Sequence, residues 1–369
     1  AEKNNLITIS GNKILINQIP SMLKFFGFKK ISKSNINKNI LVYKNNLFFS
    51  DYKGNIGVYS LNESQIIFKY NFYKKKFKKF KKEIKLIVKK DKIIAVDNFG
   101  YAYSLDYKKN KLVWAKNFLI PFRSNLKIIN ETLFLSDENN KIILINIHNG
   151  DKIDEFYTQP SKVVSKFESN LAIDNNNNLL FMSTSGVLYS LNLINNKRIN
   201  WIKNFKQESK IIYEGNPIII QNDNIIISDE NSISLLNVNG NKIWDLNIKS
   251  DLPPIISGNT IFAINKENFL LLINRNNGQI KYSKSINSLI TKDFKNNLKR
   301  KIKKIDHIYL TDDKLLLISR NSYFIEINIK NIININSIKK NHFEISSDIV
   351  FLNKEMIFIN KSNRIYKVN

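Results

Sequence analysis

Short runs of apolar residues and short polar turns alternate along almost the whole chain. In the clearest stretch, Ile93–Asp106, an apolar run leads through a polar turn into a second apolar run that closes on Asp106. Runs of about four to eight residues, rich in β-branched and aromatic side chains and bounded by Asn, Asp or Gly, predict strands joined in hairpins. The same unit occurs eight times, in Leu47–Asn62, Ile93–Asp106, Leu133–Asn146, Leu180–Asn192, Ile225–Asn237, Ile261–Asn274, Leu315–Asn328 and Met356–Asn369.

The central turn of this unit recurs at intervals of roughly 36 to 55 residues, about 44 on average. A third strand follows most copies and often closes on an aromatic residue, such as Trp114, Trp201 or Trp244, and a further apolar stretch precedes each copy. Four short strands in a repeat of this size are typical of a propeller blade. The sequence therefore predicts an all-β protein, an eight-bladed β-propeller of four-stranded antiparallel blades, with the Trp residues packed between blades. The predicted turn residues are Asp51, Asp97, Asp137, Thr184, Asp229, Asn265, Arg320 and Lys361.

The two ends of the chain are expected to complete one blade together. The eighth copy stops at Asn369 without an outermost strand, and Leu6–Asn17 offers a spare strand before the first full copy. An N-terminal strand in that position would close the ring and cover an exposed sheet edge. We therefore expect a single domain over residues 1–369, with an N-terminal segment at 1–39 and the repeats at 40–369.

Composition excludes several classes of protein. A chain without Cys forms neither disulfide bonds nor thiolate metal sites, and no apolar run approaches the roughly 18 residues of a membrane-spanning helix. The formal net charge of +27 permits contact with anionic surfaces or nucleic acid. About a sixth of the residues are Asn, and Lys and Ile are comparably frequent, which is the bias expected from an AT-rich genome. Because the charge is spread and no nucleic-acid-binding motif accompanies it, nucleic acid is a disfavoured partner.

The residues that catalysis or metal binding would need form no recognisable pattern in the sequence. His148, His307 and His342 have no partner at a metal-binding spacing, and GxSxG, GxGxxG and Walker-type motifs do not occur. Calcium binding is one interpretation of the repeated turn Asp residues. One Asp per blade fits turn capping better, because its side chain accepts backbone N–H bonds where a hairpin reverses. We therefore expect no catalytic residue, no cofactor and no bound metal.

The pattern of strands and turns resembles the PQQ-type propeller repeat, most clearly in Val96–Trp114. There Gly100 in the first turn, the pair Leu105–Asp106, Asn110 in the second turn and the closing Trp114 follow the order of that repeat. One family with eight such blades, the quinoprotein dehydrogenases, holds PQQ and calcium in its central channel through clustered carboxylates. This resemblance implies a PQQ-dependent, dehydrogenase-like enzyme with a degenerate site as one alternative. An intracellular propeller adaptor that binds acidic partners or RNA is another.

The chain is also similar to BamB, the propeller lipoprotein of the bacterial machinery that assembles outer-membrane β-barrels. The repeat count, the incomplete last blade and the segments Asn117–Ile128 and Ser250–Ile264 carry this resemblance, which is to AT-rich α-proteobacterial members. It implies a noncatalytic scaffold, monomeric within a larger complex, that binds a BamA-like barrel-assembly factor through loops on one face. It also implies a periplasmic location at the outer membrane. Because the chain begins with Ala1 and carries no lipidated Cys, we expect a processed product or a lineage without the anchor.

The resemblance directs attention to the segment Ile211–Pro217 as the region of partner contact. Within it we select Tyr213 and Glu214 as candidate partner-binding residues. An ordinary crossing between two blades is the alternative interpretation of this segment.

Two Lys-rich stretches between predicted blades, Lys74–Lys89 and Thr291–Ile305, are the candidates for helices. In the first stretch Phe77 and Phe80 would share one face of a helix. The functional interpretation of its lysines is contact with an anionic membrane surface or an acidic partner, whereas a solvated loop is the favoured interpretation of both stretches. The lysines selected are Lys74, Lys75, Lys76, Lys78 and Lys79.

Overall fold

The computed structural model describes residues 25–73, 77–160, 168–193, 198–205, 213–293, 296–310, 314–329, 333–353 and 355–368. Nearly all of the secondary structure in these residues is β-strand, and the strands form eight antiparallel sheets of four strands each. The eight-bladed propeller predicted from the repeat is confirmed.

The strands and helices of the described residues have the following bounds in chain order: β1 (Phe25–Lys30), β2 (Leu41–Tyr43), β3 (Asn46–Ser50), β4 (Asn55–Ser60), β5 (Gln65–Asn71), β6 (Ile84–Lys89), β7 (Lys92–Asp97), β8 (Tyr101–Asp106), β9 (Lys111–Asn117), β10 (Lys127–Ile129), β11 (Thr132–Ser136), β12 (Ile142–Asn146), β13 (Lys152–Phe156), β14 (Asn170–Ile173), β15 (Leu179–Met182), β16 (Val187–Asn192), β17 (Arg198–Asn204), β18 (Ile219–Gln221), β19 (Asn224–Ser228), β20 (Ile233–Asn237), β21 (Lys242–Leu246), β22 (Ile255–Ser257), β23 (Thr260–Ile264), β24 (Phe269–Asn274), β25 (Ile280–Ser285), α1 (Ile286–Asp293), α2 (Asn296–Lys301), β26 (Ile305–Leu310), β27 (Lys314–Ser319), β28 (Tyr323–Asn328), β29 (Asn334–Lys340), β30 (Val350–Leu352), β31 (Glu355–Ile359) and β32 (Arg364–Val368).

Blades 1 to 7 each contain four consecutive strands, from β2–β5 in blade 1 to β26–β29 in blade 7. Within each blade we call these strands A to D, from the ring axis outwards. Strands B and C are buried almost throughout, as in β7 and β8, whereas strand D exposes most of its residues, as in β9. Both faces of B and C are apolar because each blade packs against two neighbours. One such core joins Ile94 and Val96 of blade 2 to Leu133 and Leu135 of blade 3.

Blade 8 combines strands from the two ends of the chain, in the order β1-β32-β31-β30. Strand β1 pairs antiparallel with β32, placing Phe25 opposite Val368 and Gly27 opposite Tyr366. The sequence predicts that Leu6–Asn17 is the outer strand of blade 8. This segment lies outside the described residues. The outer strand in the structure is β1 instead.

The three Trp residues connect neighbouring blades. The indole N–H of Trp114, on strand D of blade 2, donates to the Ile147 carbonyl oxygen at 2.9 Å, at the start of the C–D turn of blade 3. Trp201 and Trp244 make the same contact with Val238 and Arg275 of the next blade, at 2.9 and 2.7 Å. Trp114 and Trp244 are buried and Trp201 is partly buried, so the predicted packing between blades is confirmed.

All crossings from one blade to the next lie at the same end of the strands as the B–C turns, because neighbouring strands are antiparallel. We call this end of the propeller the crossing face. The helix predicted over Lys74–Lys89 is wrong in its described part: residues 77–83 form turns and irregular backbone, and 84–89 form β6. The apolar side chains of Ile84 and Leu86, on either side of Lys85, fit the period of a strand. The stretch Thr291–Ile305 is partly helical, in α1 and α2.

Candidate interaction surfaces

Each B–C turn on the crossing face is capped by a polar side chain at the end of strand B. In blade 2, Asp97 Oδ1 accepts the backbone N–H groups of Phe99 at 2.9 Å and Tyr101 at 3.1 Å. The predicted capping role is confirmed here and for Asp51, Asp137 and Asp229, and Asn265 caps its turn in the same way.

In the other three blades the predicted turn residues, Thr184, Arg320 and Lys361, lie in the B–C turn. The side chain that caps each of these turns belongs to the preceding residue, Ser183, Ser319 or Asn360. Ser183 and Ser319 directly follow the last apolar residue of strand B, whereas Asp51, Asp137 and Asp229 each follow a Ser, so no single spacing locates the capping side chain in the sequence.

The crossing between blades 4 and 5 contains the selected pair, Tyr213 and Glu214, and the two side chains have opposite environments. Glu214 is exposed. The Tyr213 ring packs over Gly215, where an added Cβ would lie 2.4 Å from ring atom Cε1. Burial and the neighbouring Asp229 carboxylate raise the pKa of Tyr213 above its ordinary value. Of this pair, only Glu214 is exposed, and its carboxylate is available to a partner.

Hydrogen bonds fix the backbone on both sides of Glu214. The Tyr213 N–H donates to the Thr184 carbonyl oxygen of blade 4 at 3.0 Å, and the Asn216 N–H donates to Ser228 of blade 5 at 2.8 Å. The Asn216 side-chain amide also donates to the Ser250 carbonyl oxygen, in the next crossing, at 3.2 Å. The segment therefore holds an exposed carboxylate at a fixed place on the crossing face.

The crossing between blades 1 and 2 holds the first Lys-rich stretch, and we call residues 77–83 the aromatic–lysine crossing. Lys78 and Lys79 are exposed, whereas Lys74, Lys75 and Lys76 lie outside the described residues. Phe77 is 40% exposed and Phe80 is 63% exposed. Both rings contact Phe99 in the B–C turn of blade 2: Phe77 stacks on it with centroids 4.9 Å apart, and Phe80 meets it edge-on at 6.3 Å.

Two other lysines of this crossing, Lys81 and Lys82, contact groups of the protein itself. Lys82 is buried, with its ammonium donating to the Phe77 carbonyl oxygen and lying 5.7 Å from the Tyr73 ring centroid. Lys81 forms an ion pair with Glu83 at 2.9 Å and lies 4.1 Å from the Tyr52 ring centroid. These contacts hold the crossing against the ring and leave Lys78 and Lys79 directed to solvent.

Titratable side chains from several blades gather at the inner strands. The Lys85 ammonium of β6 donates to the carbonyl oxygens of Arg123 at 3.1 Å and Ser124 at 2.8 Å and pairs with Glu168 at 3.0 Å. Burial raises the pKa of Asp348 to about 6, and the positive charge of Lys38 opposes that rise. The negative charge of Glu168 also contributes to the raised pKa of Asp348. The charges of Lys85, Glu168, Asp348 and Lys38 therefore interact, and the segments involved belong to blades 8, 1, 2, 3 and 4.

This set of charges does not fit a quinone held with a calcium ion. Such a site needs clustered carboxylates around the cation. Glu168 is instead paired with the Lys85 ammonium. Across the residues that the structure describes, no three His, Asp or Glu side chains are placed to hold a metal ion together.

The described helices are also too short or too polar to cross a membrane.

Comparison with known proteins gives a family and a fold. A family model for the outer membrane protein assembly factor BamB matches residues 76–284, more than half of the chain. No curated protein sequence matches. The crystal structure of BamB from Moraxella catarrhalis is similar with a TM-score of 0.70 and 10% identity, over 92% of this chain and 99% of that one. The computationally designed protein Ika8 is similar with a TM-score of 0.64 and 10% identity, over 93% and 98% of the two chains. At this identity the structural likeness shows the fold alone, whereas the sequence match shows that the chain belongs to the family of the outer membrane protein assembly factor BamB.

Proposed function

We propose that this protein is a noncatalytic interaction subunit that assists the assembly and insertion of β-barrel proteins into the bacterial outer membrane. The observation that carries the proposal is the family match over residues 76–284. In this proposal the protein lies in the periplasm at the outer membrane, as one copy within a larger complex. Its partner is a BamA-like barrel-assembly factor.

The architecture supports a role in recognition. A closed ring of blades presents its crossings and turns at fixed positions, and loops on a rigid scaffold commonly carry binding functions. The crossing around Glu214 is such a fixed loop, because hydrogen bonds to blades 4 and 5 hold the backbone on both sides of the exposed carboxylate. We therefore place the contact with the barrel-assembly factor at Glu214. The Tyr213 ring packs against Gly215 and helps to position the backbone that carries Glu214.

Co-purification tests this proposal. The tagged chain and the barrel-assembly factor encoded in the same genome are co-expressed. The amount of factor that is recovered from the membranes with the tagged chain is then measured. We expect stoichiometric recovery with the parent chain and about tenfold lower recovery with Glu214→Lys, because an interfacial carboxylate is replaced by the opposite charge.

Glu267→Lys is the matched control. Glu267 is an exposed carboxylate in the B–C turn of blade 6, on the same face of the propeller. Its reversal should leave recovery unchanged. Equal loss with both variants would contradict the placement of the contact, and failure to recover the factor with the parent chain would contradict the proposed function.

Titration with PQQ and Ca²⁺, followed by absorbance, tests the dehydrogenase-like alternative. Saturable binding of the quinone would contradict a noncatalytic role.

A further inference from the structure

The strongest feature that the proposed function leaves unexplained is the group of exposed apolar side chains around the B–C turn of blade 2. Phe77 and Phe80 approach this turn from one crossing, through their contacts with Phe99. Leu119 approaches it from the next crossing, where the Phe118 N–H donates to the Gly100 carbonyl oxygen at 2.8 Å. Leu119 is 82% exposed and Phe80 is 63% exposed. Large apolar side chains exposed together on one surface commonly mark an interaction site.

The charge around these side chains is strongly positive. Four of the six residues 77–82 are Lys, and the other two are Phe77 and Phe80. Within the part of the chain that the structure describes, Lys78 and Lys79 are exposed and form no ion pair, in contrast to Lys81. Two exposed lysines therefore lie between two exposed rings in this crossing.

We propose that the aromatic–lysine crossing binds the surface of an anionic phospholipid bilayer, with Phe80 entering the boundary between headgroups and acyl chains. Lysines beside an exposed aromatic ring complement this surface in two ways, since lipid phosphates attract the ammonium groups and the interface accepts the ring. The crossing lies on an end face of the propeller, which can meet a planar surface. The inference goes beyond the contact with a barrel-assembly factor and does not depend on it.

The fold holds the crossing in a position that suits this contact. The Tyr73 hydroxyl donates to Asp97 at 2.5 Å, and the Lys82 N–H donates to the Tyr52 carbonyl oxygen at 3.1 Å. The Glu83 N–H donates to the Asn98 side chain at 2.9 Å. Because blade 2 already positions the rings, less conformational entropy is lost on binding than for a disordered basic segment.

The same geometry favours a membrane over an acidic protein. A protein partner is usually recognised by a fully buried central anchor surrounded by a polar rim. The exposed apolar side chains here lie on two crossings, Phe77 and Phe80 on one and Leu119 on the next, and the exposed Lys78 and Lys79 lie beside the two rings in the chain. This arrangement resembles a shallow interfacial contact.

Flotation with vesicles tests the proposal on the full chain. The vesicles contain phosphatidylcholine alone or with about 30% phosphatidylglycerol, at 50, 150 and 500 mM NaCl (roughly the range over which screening becomes strong). We expect binding only to the phosphatidylglycerol vesicles, and weaker binding as the salt concentration rises. Each lysine near the surface contributes about fivefold in affinity, so Lys78→Glu with Lys79→Glu should weaken binding by about 25-fold or more. Phe80→Ser should weaken it by about fivefold to tenfold.

Matched variants on other surfaces separate this site from the general positive charge. Lys108 and Lys109 are exposed in the C–D turn of blade 2, at the opposite end of the propeller. Lys108→Glu with Lys109→Glu gives the same net charge as the test variant and should leave vesicle binding within about twofold of the parent. Ile202, 54% exposed on the outer strand of blade 4, gives Ile202→Ser as the control for the loss of an exposed apolar side chain.

Several outcomes would overturn the proposal. One is equal loss of binding in the two lysine pairs, and another is unchanged binding by Phe80→Ser. A third is binding to a single-stranded RNA oligonucleotide that requires Phe80 while vesicles remain unbound, which would assign the surface to RNA. Glu214→Lys should bind vesicles like the parent, so failure here and failure of co-purification are read out independently.

Discussion

At the scale of single residues, Lys127 carries a large unfavourable electrostatic contribution. It lies on strand A of blade 3, 4% exposed, and within the described residues it forms no ion pair. Burial lowers the pKa of Lys127 to about 8. An amine in an unfolded chain keeps a pKa near 10.4, so at neutral pH the charged form destabilises the native state relative to the unfolded state.

Lys127→Met should therefore stabilise the protein at pH 7. The difference in pKa corresponds to about 3 kcal/mol in the free energy of unfolding. Because the folded pKa is lowered, the gain is full below pH 8 and disappears as the pH rises through the unfolded value near 10.4. Denaturant unfolding of variant and parent at pH 7 and pH 10.5 measures this change. Lys69→Met, at an exposed site on β5, should change stability by less than about 0.5 kcal/mol at either pH.

The sequence predicted polar residues well where local geometry determines their role. Asp97 caps its turn because the backbone N–H groups it accepts lie within four residues along the chain. It predicted poorly in the crossings, where a side chain's contacts depend on how the segment packs against the ring. Tyr213 faces Asp229 and Gly215, and Lys82 faces Tyr73, and these inward directions depend on how the crossings pack. No pattern in the sequence distinguishes Lys82 and Lys127 from the exposed lysines, so their burial was not predicted.

At the scale of elements, each Trp attaches the outer strand of one blade to the C–D turn of the next. The Trp114 ring lies over Gly150, where an added Cβ would come within 2.4 Å of ring atom Cε3. Gly150 has a φ of 77°, which favours glycine independently of the ring. Gly240 and Gly278 occupy the same position beneath Trp201 and Trp244. The pairing of a Trp with a turn glycine thus repeats at three junctions between blades.

Substitution of Trp114 should separate the two components of this contact. Trp114→Ala should lower the free energy of unfolding by about 3–5 kcal/mol, as expected for loss of a large core aromatic side chain. Trp114→Phe keeps an aromatic ring but loses the bond to the Ile147 carbonyl oxygen, and should cost about 1–2 kcal/mol. Denaturant unfolding measures both. Tyr157→Ala, at a 71% exposed aromatic residue, is the control, and an equal effect there would contradict the role of Trp114.

The strands and the crossings differed in how far the sequence predicted them. Strands B and C are apolar on both faces, so their repeat is visible without knowledge of the neighbours. A crossing has no such period. Residues 77–83 adopt turns in which the Lys82 ammonium bonds the Phe77 carbonyl oxygen, and the Glu83 bond to Asn98 and the Phe77 contact with Phe99 hold them against blade 2. The spacing of Phe77 and Phe80, which suggested a helix face, instead places both rings around Phe99.

At the scale of the whole molecule, the junction of blades 8 and 1 brings together distant parts of the chain. An apolar core joins Ile40 and Leu47 near the start to Ile357 and Ile365 near the end. The Ile31 N–H donates to the Asn363 carbonyl oxygen at 3.0 Å. Pairing of β1 with β32 adds backbone hydrogen bonds that cover the outer edge of blade 8. An uncovered edge would be open to pairing with another chain.

Two truncations distinguish β1 from Leu6–Asn17 as the strand that closes the ring. Removal of residues 1–20 leaves β1 intact, so thermal unfolding should match that of the parent. Removal of residues 1–31 deletes β1, leaves β32 without its partner and should lower the free energy of unfolding by about 2–4 kcal/mol, from the lost strand hydrogen bonds. The longer truncation should also self-associate as its concentration rises, because its free edge can pair with a second molecule. Light scattering and calorimetry measure the two effects. Equal destabilisation by both truncations would assign the closing strand to Leu6–Asn17, and no effect of either would show that blade 8 is stable with three strands.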